Sequence, residues 1–290
     1  MTIQNSISEQ CLFGTCDGTG HVLAYDQEEH ERQLQDSTER RMQGKRLPIY
    51  PPYEYQKACK CLPQLRLKNR ARIAGIPEEF RGLTLRSFDV NIYEHDEAKA
   101  IASRAKQAAA NFVRNFDRIK VEFSGKGLYF WSRTKGSGKT RLGASIANAL
   151  IQIHAERGEQ IDVRYAVLID LIEQIKETFD NDSKLKTKDV TDAVKNADVL
   201  ILDDLGVESD STFVNQILYR LLNHRMTKEL PTIFTSNIPV EELGQKFQMD
   251  DGRIQSRITK MSFSIAMPEE SARLKLAKSE NEDLSSLLFE

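Results

Sequence analysis

The feature that most constrains this chain is a strand-loop-helix succession. An apolar run, Gly127-Leu-Tyr-Phe-Trp131, leads through Gly136-Ser-Gly-Lys-Thr140 into a helical pattern from Arg141 to Ala155. Such a succession makes a phosphate cradle. Gly136, Ser137 and Gly138 let backbone N–H groups close round phosphates, Lys139 reaches their β and γ oxygens, and the Thr140 hydroxyl can ligate magnesium. The full pattern is G-x-x-x-x-G-K-[ST], and Arg133 stands where its first glycine belongs. The loop must therefore enter its turn without a residue indifferent to positive φ.

A short glycine-lysine motif arises by chance often enough that its partners decide its meaning. Asp198-Val-Leu-Ile-Leu-Asp-Asp-Leu-Gly206 reads as a strand buried on both faces that ends in two carboxylates. Asp203 is placed to hold magnesium through water and Asp204 to orient or activate an attacking water. A third strand, Pro231-Thr-Ile-Phe-Thr-Ser-Asn237, ends in an amide that can orient water near a γ-phosphate. Alone, a strand-terminal Asn is more often a turn former; its place after the acidic strand favours the catalytic role. Farther on, Asp251-Gly-Arg-Ile-Gln-Ser-Arg-Ile258 puts Arg253 and Arg257 four apart on one helix face. Two solvated arginines are the plain reading of an isolated pair. In a ring-forming ATPase, Arg257 first and Arg253 second would reach a neighbour's γ-phosphate as a finger, worth ~10³–10⁵ in turnover.

The chain's 290 residues accommodate one good-sized domain and a smaller one. Apolar content of 40% with 29% charged residues is ordinary for a water-soluble globular protein, and no apolar run approaches the ~20 residues that span a bilayer. Met1-Thr-Ile-Gln-Asn-Ser6 has neither the basic start nor the apolar segment of a signal peptide, so a cytoplasmic protein that avoids membranes is expected. The net charge of −2 hides an uneven distribution: eight Lys or Arg against two Glu from Gln56 to Arg86, and four acids with no base from Ser279 to Glu290.

All four cysteines, Cys11, Cys16, Cys59 and Cys61, lie near the N-terminus. In a reducing compartment such a cluster points to a metal site more than to disulfides. Cys-x₄-Cys followed by Cys-x-Cys is less diagnostic than paired Cys-x-x-Cys, and the interval between the halves is long for a small zinc module. Against that, Cys16-Asp-Gly-Thr-Gly20 forms a tight turn that can wrap thiolates round an ion. A structural zinc on the four cysteines, with His21 as a reserve ligand, stands beside four free thiols, and the zinc is preferred.

Three segments follow from these signals. Residues 1–72 form the cysteine-bearing module, with a charge-dense helical or mobile middle from Tyr25 to Arg46 and a break at Pro48-Ile-Tyr-Pro-Pro-Tyr53. Lys68 to Pro77 reads as a basic helix stopped by glycine and proline, hence a linker. Residues 73–278 form an α/β domain, in which an Ala-rich helix over His95 to Arg118 precedes alternating strands and helices, with a strand at Val163 to Val167 and a helix at Ser211 to Met226. Such alternation gives a parallel sheet flanked by helices. Residues 279–290 are an acidic tail.

The succession of Gly75-Ile-Pro-Glu-Glu-Phe-Arg81, Leu85-Arg-Ser-Phe-Asp89, the phosphate loop, Val199-Leu-Ile-Leu-Asp-Asp-Leu-Gly206, Thr235-Ser-Asn237 and Gly252-Arg-Ile-Gln-Ser-Arg257 resembles the AAA+ helicase loaders of the DnaC and DnaI type. Cys16-Asp-Gly-Thr-Gly20 and Cys59-Lys-Cys61 are similar to the amino-terminal arrangement of phage-encoded loaders. The resemblance implies an AAA+ P-loop ATPase that uses ATP and Mg2+ and carries a small zinc-binding module. It implies a chain that self-associates, binds a replicative hexameric helicase through that module and delivers it onto single-stranded DNA. It also implies a DNA-lining helix at Asp170 to Asp180, where Phe179 would stack on a base and Lys184, Lys186 and Lys188 would neutralise phosphates. An amphipathic surface helix with a solvated loop is the equal alternative there. Arg273 falls where a cis-acting sensor arginine would lie, or is plain surface charge. Arg133, and Asp204 where Glu is usual, depart from the common pattern and suit slow turnover. Two other readings stand: a transposition helper ATPase with the same core, and an adaptor that binds nucleotide as a switch with negligible hydrolysis.

Overall fold

A computed structural model describes residues 11, 13–177, 187–207, 211–247 and 251–289, with the side chains of 187–190 excepted. Phe179, Lys184 and Lys186 lie outside these residues, and the Lys188 side chain is among those excepted. The chain divides into two compact units, Met1–Asn69 and Arg70–Glu290.

In the first unit, strands β1 (His21–Tyr25) and β2 (Glu54–Ala58) pair antiparallel, with His21 opposite Ala58 and Tyr25 opposite Glu54. Between them in the chain runs helix α1 (Gln27–Met42), so the charge-dense middle is helical. The Asp26 carboxylate accepts the Glu29 N–H at 3.0 Å and caps the helix. Glu28 and Glu29 in the first turn and Arg40 and Arg41 in the last complement the helix dipole. This unit has almost no apolar interior: its only buried apolar side chains among the described residues are the four cysteines, with the partly buried Val22 packed against them. Helix α2 (Leu62–Ile73) starts directly after Cys61 and runs through the boundary expected after residue 72.

The second unit takes in the last turn of α2 and continues with α3 (Asp96–Arg114) and α4 (Phe116–Glu122). There follow β3 (Gly127–Trp131), α5 (Lys139–Glu156), β4 (Val163–Val167), α6 (Leu168–Glu177), α7 (Thr187–Asn196) and β5 (Val199–Leu205). Then come α8 (Thr212–Thr227), β6 (Thr232–Ser236), α9 (Leu243–Lys246), α10 (Arg253–Met261), β7 (Ser262–Ala266) and α11 (Ala272–Phe289). The five strands β3 to β7 form one parallel sheet in the order β4-β5-β6-β3-β7. Ile201, Leu202, Ile233, Phe234, Tyr129 and Phe130 are fully buried, as a sheet covered on both faces requires. The acidic stretch continues α11 as far as Phe289.

One buried residue is not apolar. Arg225, on α8, is fully buried and donates to the carbonyls of Val194, Lys195, Ala197 and Pro231 and to the Thr232 hydroxyl, at 2.8 to 3.2 Å. It joins the end of α7 to the start of β6.

Candidate nucleotide site

In a parallel sheet all strands end on one edge, and the loops there converge. The phosphate loop leaves β3, the two acids end β5, and Asn237 follows β6, which lies between them. Register fixes the spacing: Ser236 sits opposite Trp131 on one side and Leu205 on the other. The residues expected to act together are therefore brought to one place.

Gly136 and Gly138 have φ of 76° and 91°, but Arg133 is not among the residues of positive φ. The missing first glycine therefore costs the loop no strain. Arg133 turns its guanidinium outward to an ion pair with Glu242, while its N–H donates to the Glu269 carboxylate at 2.9 Å. Thr134 donates to the other Glu269 oxygen through both its N–H and its hydroxyl, each at 2.9 Å. Gly138 is required by a close approach: a Cβ there would lie 3.0 Å from the Phe88 ring and 3.1 Å from the Tyr93 hydroxyl. That hydroxyl donates to the Ser137 carbonyl at 2.8 Å, so the segment before α3 braces the loop.

Lys139 is buried, and its Nζ donates to the carbonyls of Ser132 and Thr134 at 3.2 and 2.9 Å and to Ser137 Oγ at 3.3 Å. Burial pulls its pKa down, against the opposing pull of Asp204, Glu269 and Asp203. A buried ammonium with only neutral oxygens as direct partners fits a phosphate ligand. The Thr140 hydroxyl donates to Asp203 Oδ1 at 3.1 Å, which places together the two groups expected to organise magnesium. Asp203 is further held by Tyr165, whose hydroxyl donates to Oδ2 at 2.5 Å, and by a short hydrogen bond from Thr235 Oγ1 to Oδ1. Burial and the Asp203 charge push the Tyr165 phenol well up, so it stays a donor.

Asp204 sits at a register shift between Leu202 and Leu205, with φ of 55°. A bulge re-aims a side chain next to a site, and the Asp204 N–H donates to Thr235 Oγ1 at 3.0 Å, which holds the turn. Burial first, and the Asp203 charge second, raise the Asp204 carboxyl, as suits a proton acceptor. Arg273 comes to the loop by its backbone: its N–H donates to the Gly136 carbonyl at 3.2 Å, and its charge is felt at Lys139 and Asp204. Tyr165 and Glu269 carry no sequence signal, because each is an ordinary residue for its strand or loop, and Thr235 is marked only as the start of the Thr235-Ser-Asn237 motif.

The expected arginine pair is on α10. The Arg257 guanidinium stacks on Tyr219, 4.0 Å from the ring centroid, and donates to the Tyr219 hydroxyl at 2.8 Å and to Asn223 Oδ1 at 3.1 Å. Arg253 is exposed.

In the first unit the four cysteine sulfurs lie within 4.8 Å of one another, with Cys16 to Cys61 at 3.5 Å and Cys11 to Cys59 at 3.8 Å. Zn–S bonds of ~2.3 Å in a tetrahedron put thiolates ~3.8 Å apart, so the set could hold a metal. No disulfide joins them. Backbone N–H groups, that of Thr15 foremost, draw the Cys11 thiol down to about 5, whereas burial pushes Cys61 up. His21 is outside this group, which four sulfurs complete without it.

Residues 64–280 match the family model described as IstB-like ATP binding protein. The chain belongs to that family. It is similar to the replicative helicase loader DnaI of Bacillus subtilis (strain 168), at 30% identity over 177 residues, which are 58% of this chain and 53% of that protein. It is also similar to the replicative helicase loader DnaC of Escherichia coli (strain K12), at 28% over 139 residues, 48% of this chain and 51% of that one. The chain thus spans about half the length of these curated relatives. The crystal structure of the DnaI aligns at 28% identity with a TM-score of 0.51, covering 66% of this chain and 93% of that one. The crystal structure of the DnaC helicase loader, at 24% identity and a TM-score of 0.52, covers 66% and 99% and shows a shared fold. The family member described here therefore has the AAA+ P-loop fold and resembles the DnaC and DnaI type, as its motifs led one to expect. Among the described residues no helix is long and apolar enough to cross a membrane.

Proposed function

We propose that this family member is a cytoplasmic, ATP-hydrolysing loader that binds a replicative hexameric helicase and delivers it onto single-stranded DNA. One observation carries the reading: the phosphate loop, the Asp203-Asp204 pair and Asn237 meet on one sheet edge, in a chain whose curated relatives are named replicative helicase loaders. Those names favour loading over the transposition helper.

In this reading the loop N–H groups from Gly136 to Thr140 and the Lys139 ammonium bind the β and γ phosphates. Thr140 and, through water, Asp203 hold magnesium, which when bound offsets the charge on the phosphate oxygens. Asn237 orients a water in line with the γ-phosphate. Asp204 takes its proton as the new O–P bond forms and the bond to the β–γ bridging oxygen breaks, leaving ADP and phosphate. Arg273 steadies the phosphates in cis. Arg257 completes the site of the next chain in an assembly, with Arg253 as the second choice. Zinc on Cys11, Cys16, Cys59 and Cys61 organises the helicase-binding unit, and Phe179, Lys184 and Lys186 contact the DNA strand.

Nucleotide binding and phosphate release, each with and without single-stranded DNA, test the chemistry. Lys139→Ala is expected to lose ATP binding. Asp204→Asn should still bind ATP and turn over ~10²-fold more slowly or worse. Capture of a hexameric replicative helicase by the wild-type chain tests the partner. Unchanged ATP affinity in Lys139→Ala would remove the site assignment, and wild-type binding without measurable hydrolysis would favour the nucleotide switch.

A further inference from the structure

Asp203 is held from an unexpected direction. Strand β4 is an edge of the sheet, yet its Tyr165 side chain is buried and delivers its hydroxyl to Asp203 Oδ2 at 2.5 Å. With Oδ2 tied in this way, Oδ1 accepts from the Thr140 hydroxyl at 3.1 Å and from Thr235 Oγ1, so Tyr165 holds the end of the carboxylate that neither of those reaches. A carboxylate fixed at one oxygen cannot swing about its χ2 bond, so the other oxygen keeps its aim.

The backbone of the same residue is held by the chain that emerges from α2. The Tyr165 N–H donates to the Ala74 carbonyl at 2.7 Å, and Arg164 Nη1 donates to the Ile73 carbonyl at 2.9 Å. Gly75 has a φ of 81°, and a Cβ on it would lie 2.7 Å from the Tyr165 carbonyl oxygen. Ile76 is fully buried and its N–H returns to the Ala71 carbonyl, so this segment is anchored rather than draped. Residues 73–76 thus grip β4 at the one residue whose side chain reaches the acidic pair.

We propose that Tyr165 is a positioning residue for the magnesium-organising carboxylate, and that segment 73–76 acts on nucleotide binding through it. The inference rests on the nucleotide reading above. Groups that orient a metal ligand are worth ~10- to 100-fold in metal affinity. Tyr165→Phe removes only the hydroxyl and keeps the ring. Gly75→Ala forces the segment or β4 to move, because the new Cβ meets backbone and not a flexible side chain.

The test is a titration of Mg2+ against a fluorescent ATP analogue bound to the full chain, with a parallel series in EDTA. Tyr165→Phe is expected to raise the Mg2+ midpoint about tenfold while affinity in EDTA stays at the wild-type value. Gly75→Ala should raise it in the same sense, and the double variant should be no worse than the poorer single one, because both act on one hydroxyl. Should Gly75→Ala fail to fold, Arg164→Ala removes the β4 side chain that holds the Ile73 carbonyl and takes its place. A wild-type Mg2+ midpoint in Tyr165→Phe overturns the positioning role, and multiplying defects in the double variant overturn the link to segment 73–76. A wild-type chain whose nucleotide binding ignores Mg2+ refutes the underlying reading, and this one with it.

Discussion

Arg257 shows how much a single side chain commits. Its guanidinium gives a face to Tyr219 and two donors to Tyr219 and Asn223 in its own chain, so reaching a neighbour means giving up a stack and hydrogen bonds together worth a few kcal/mol. A finger stabilises charge that develops on the neighbour's phosphoryl group, so Arg257→Ala should lower turnover and leave the chain's own ATP binding nearly unchanged. Mixing Arg257→Ala chains, whose phosphate loop is intact, with Lys139→Ala chains, whose arginines are intact, should restore part of the hydrolysis through mixed interfaces. If co-assembled mixtures stay inactive while the same experiment with Arg253→Ala recovers activity, the finger is Arg253. At this scale the motif residues were readable because Lys139, Thr140, Asp203 and Asp204 are unusual types for their places. Tyr165 and Glu269 were not: each meets its partner across 38 or 136 residues of chain, and nothing local marks it.

Elements were legible where burial was two-sided. The runs that became β3, β4, β5 and β6 are mostly apolar because the sheet is covered on both faces, and a run of that kind has few other uses. Strand β7 gives no such signal: Ser262-Phe-Ser-Ile-Ala266 is an edge strand, and its Phe263 is exposed. The β1–β2 hairpin is hidden for a different reason, since its strands pair across an intervening helix and carry no apolar alternation. Helix α3 was legible by its apolar face, but what holds its start was not. Glu270, from the loop after β7, accepts the N–H groups of Glu94 and His95 at 2.7 and 3.1 Å. Those bonds, that of Glu94 first, draw its carboxyl from 4.5 down to about 2. A carboxyl depressed in the fold adds stability above its unfolded pKa and loses it as pH falls through the folded one. Glu270→Gln should therefore unfold at a lower temperature than wild type at neutral pH, with the gap closing between about 4.5 and about 2. A gap that is constant across that window in thermal scans would mean the carboxylate's charge contributes nothing.

Over the whole molecule, the two units solve the problem of an interior in opposite ways. The second buries a broad apolar sheet; among its described residues the first buries four cysteines and little else that is apolar. A unit this small with so little apolar interior needs a staple, and a metal is the one its side chains offer. About one zinc per chain is expected, with chelation exposing the first unit to protease while the melting of the second is unchanged. Elemental analysis that finds no zinc in protein purified without added metal would defeat this. The expected segments divide after residue 72, whereas the compact units divide after Asn69, within α2. Arg225 bears on how freely the second unit can vary. Five acceptors converge on it from α7, the loop after α7 and the β6 entry: three carbonyls share Nη1, while Nε and Nη2 take one acceptor each, a spread that needs the planar fork of a guanidinium. Lysine has three donors on one nitrogen, so even that exchange strands buried carbonyls, whereas the leucines around the sheet tolerate swaps of equal volume. A residue this closed to replacement therefore lies outside the candidate nucleotide site, and a scan for intolerant positions would point to a knot in the scaffold as well as to the phosphate loop.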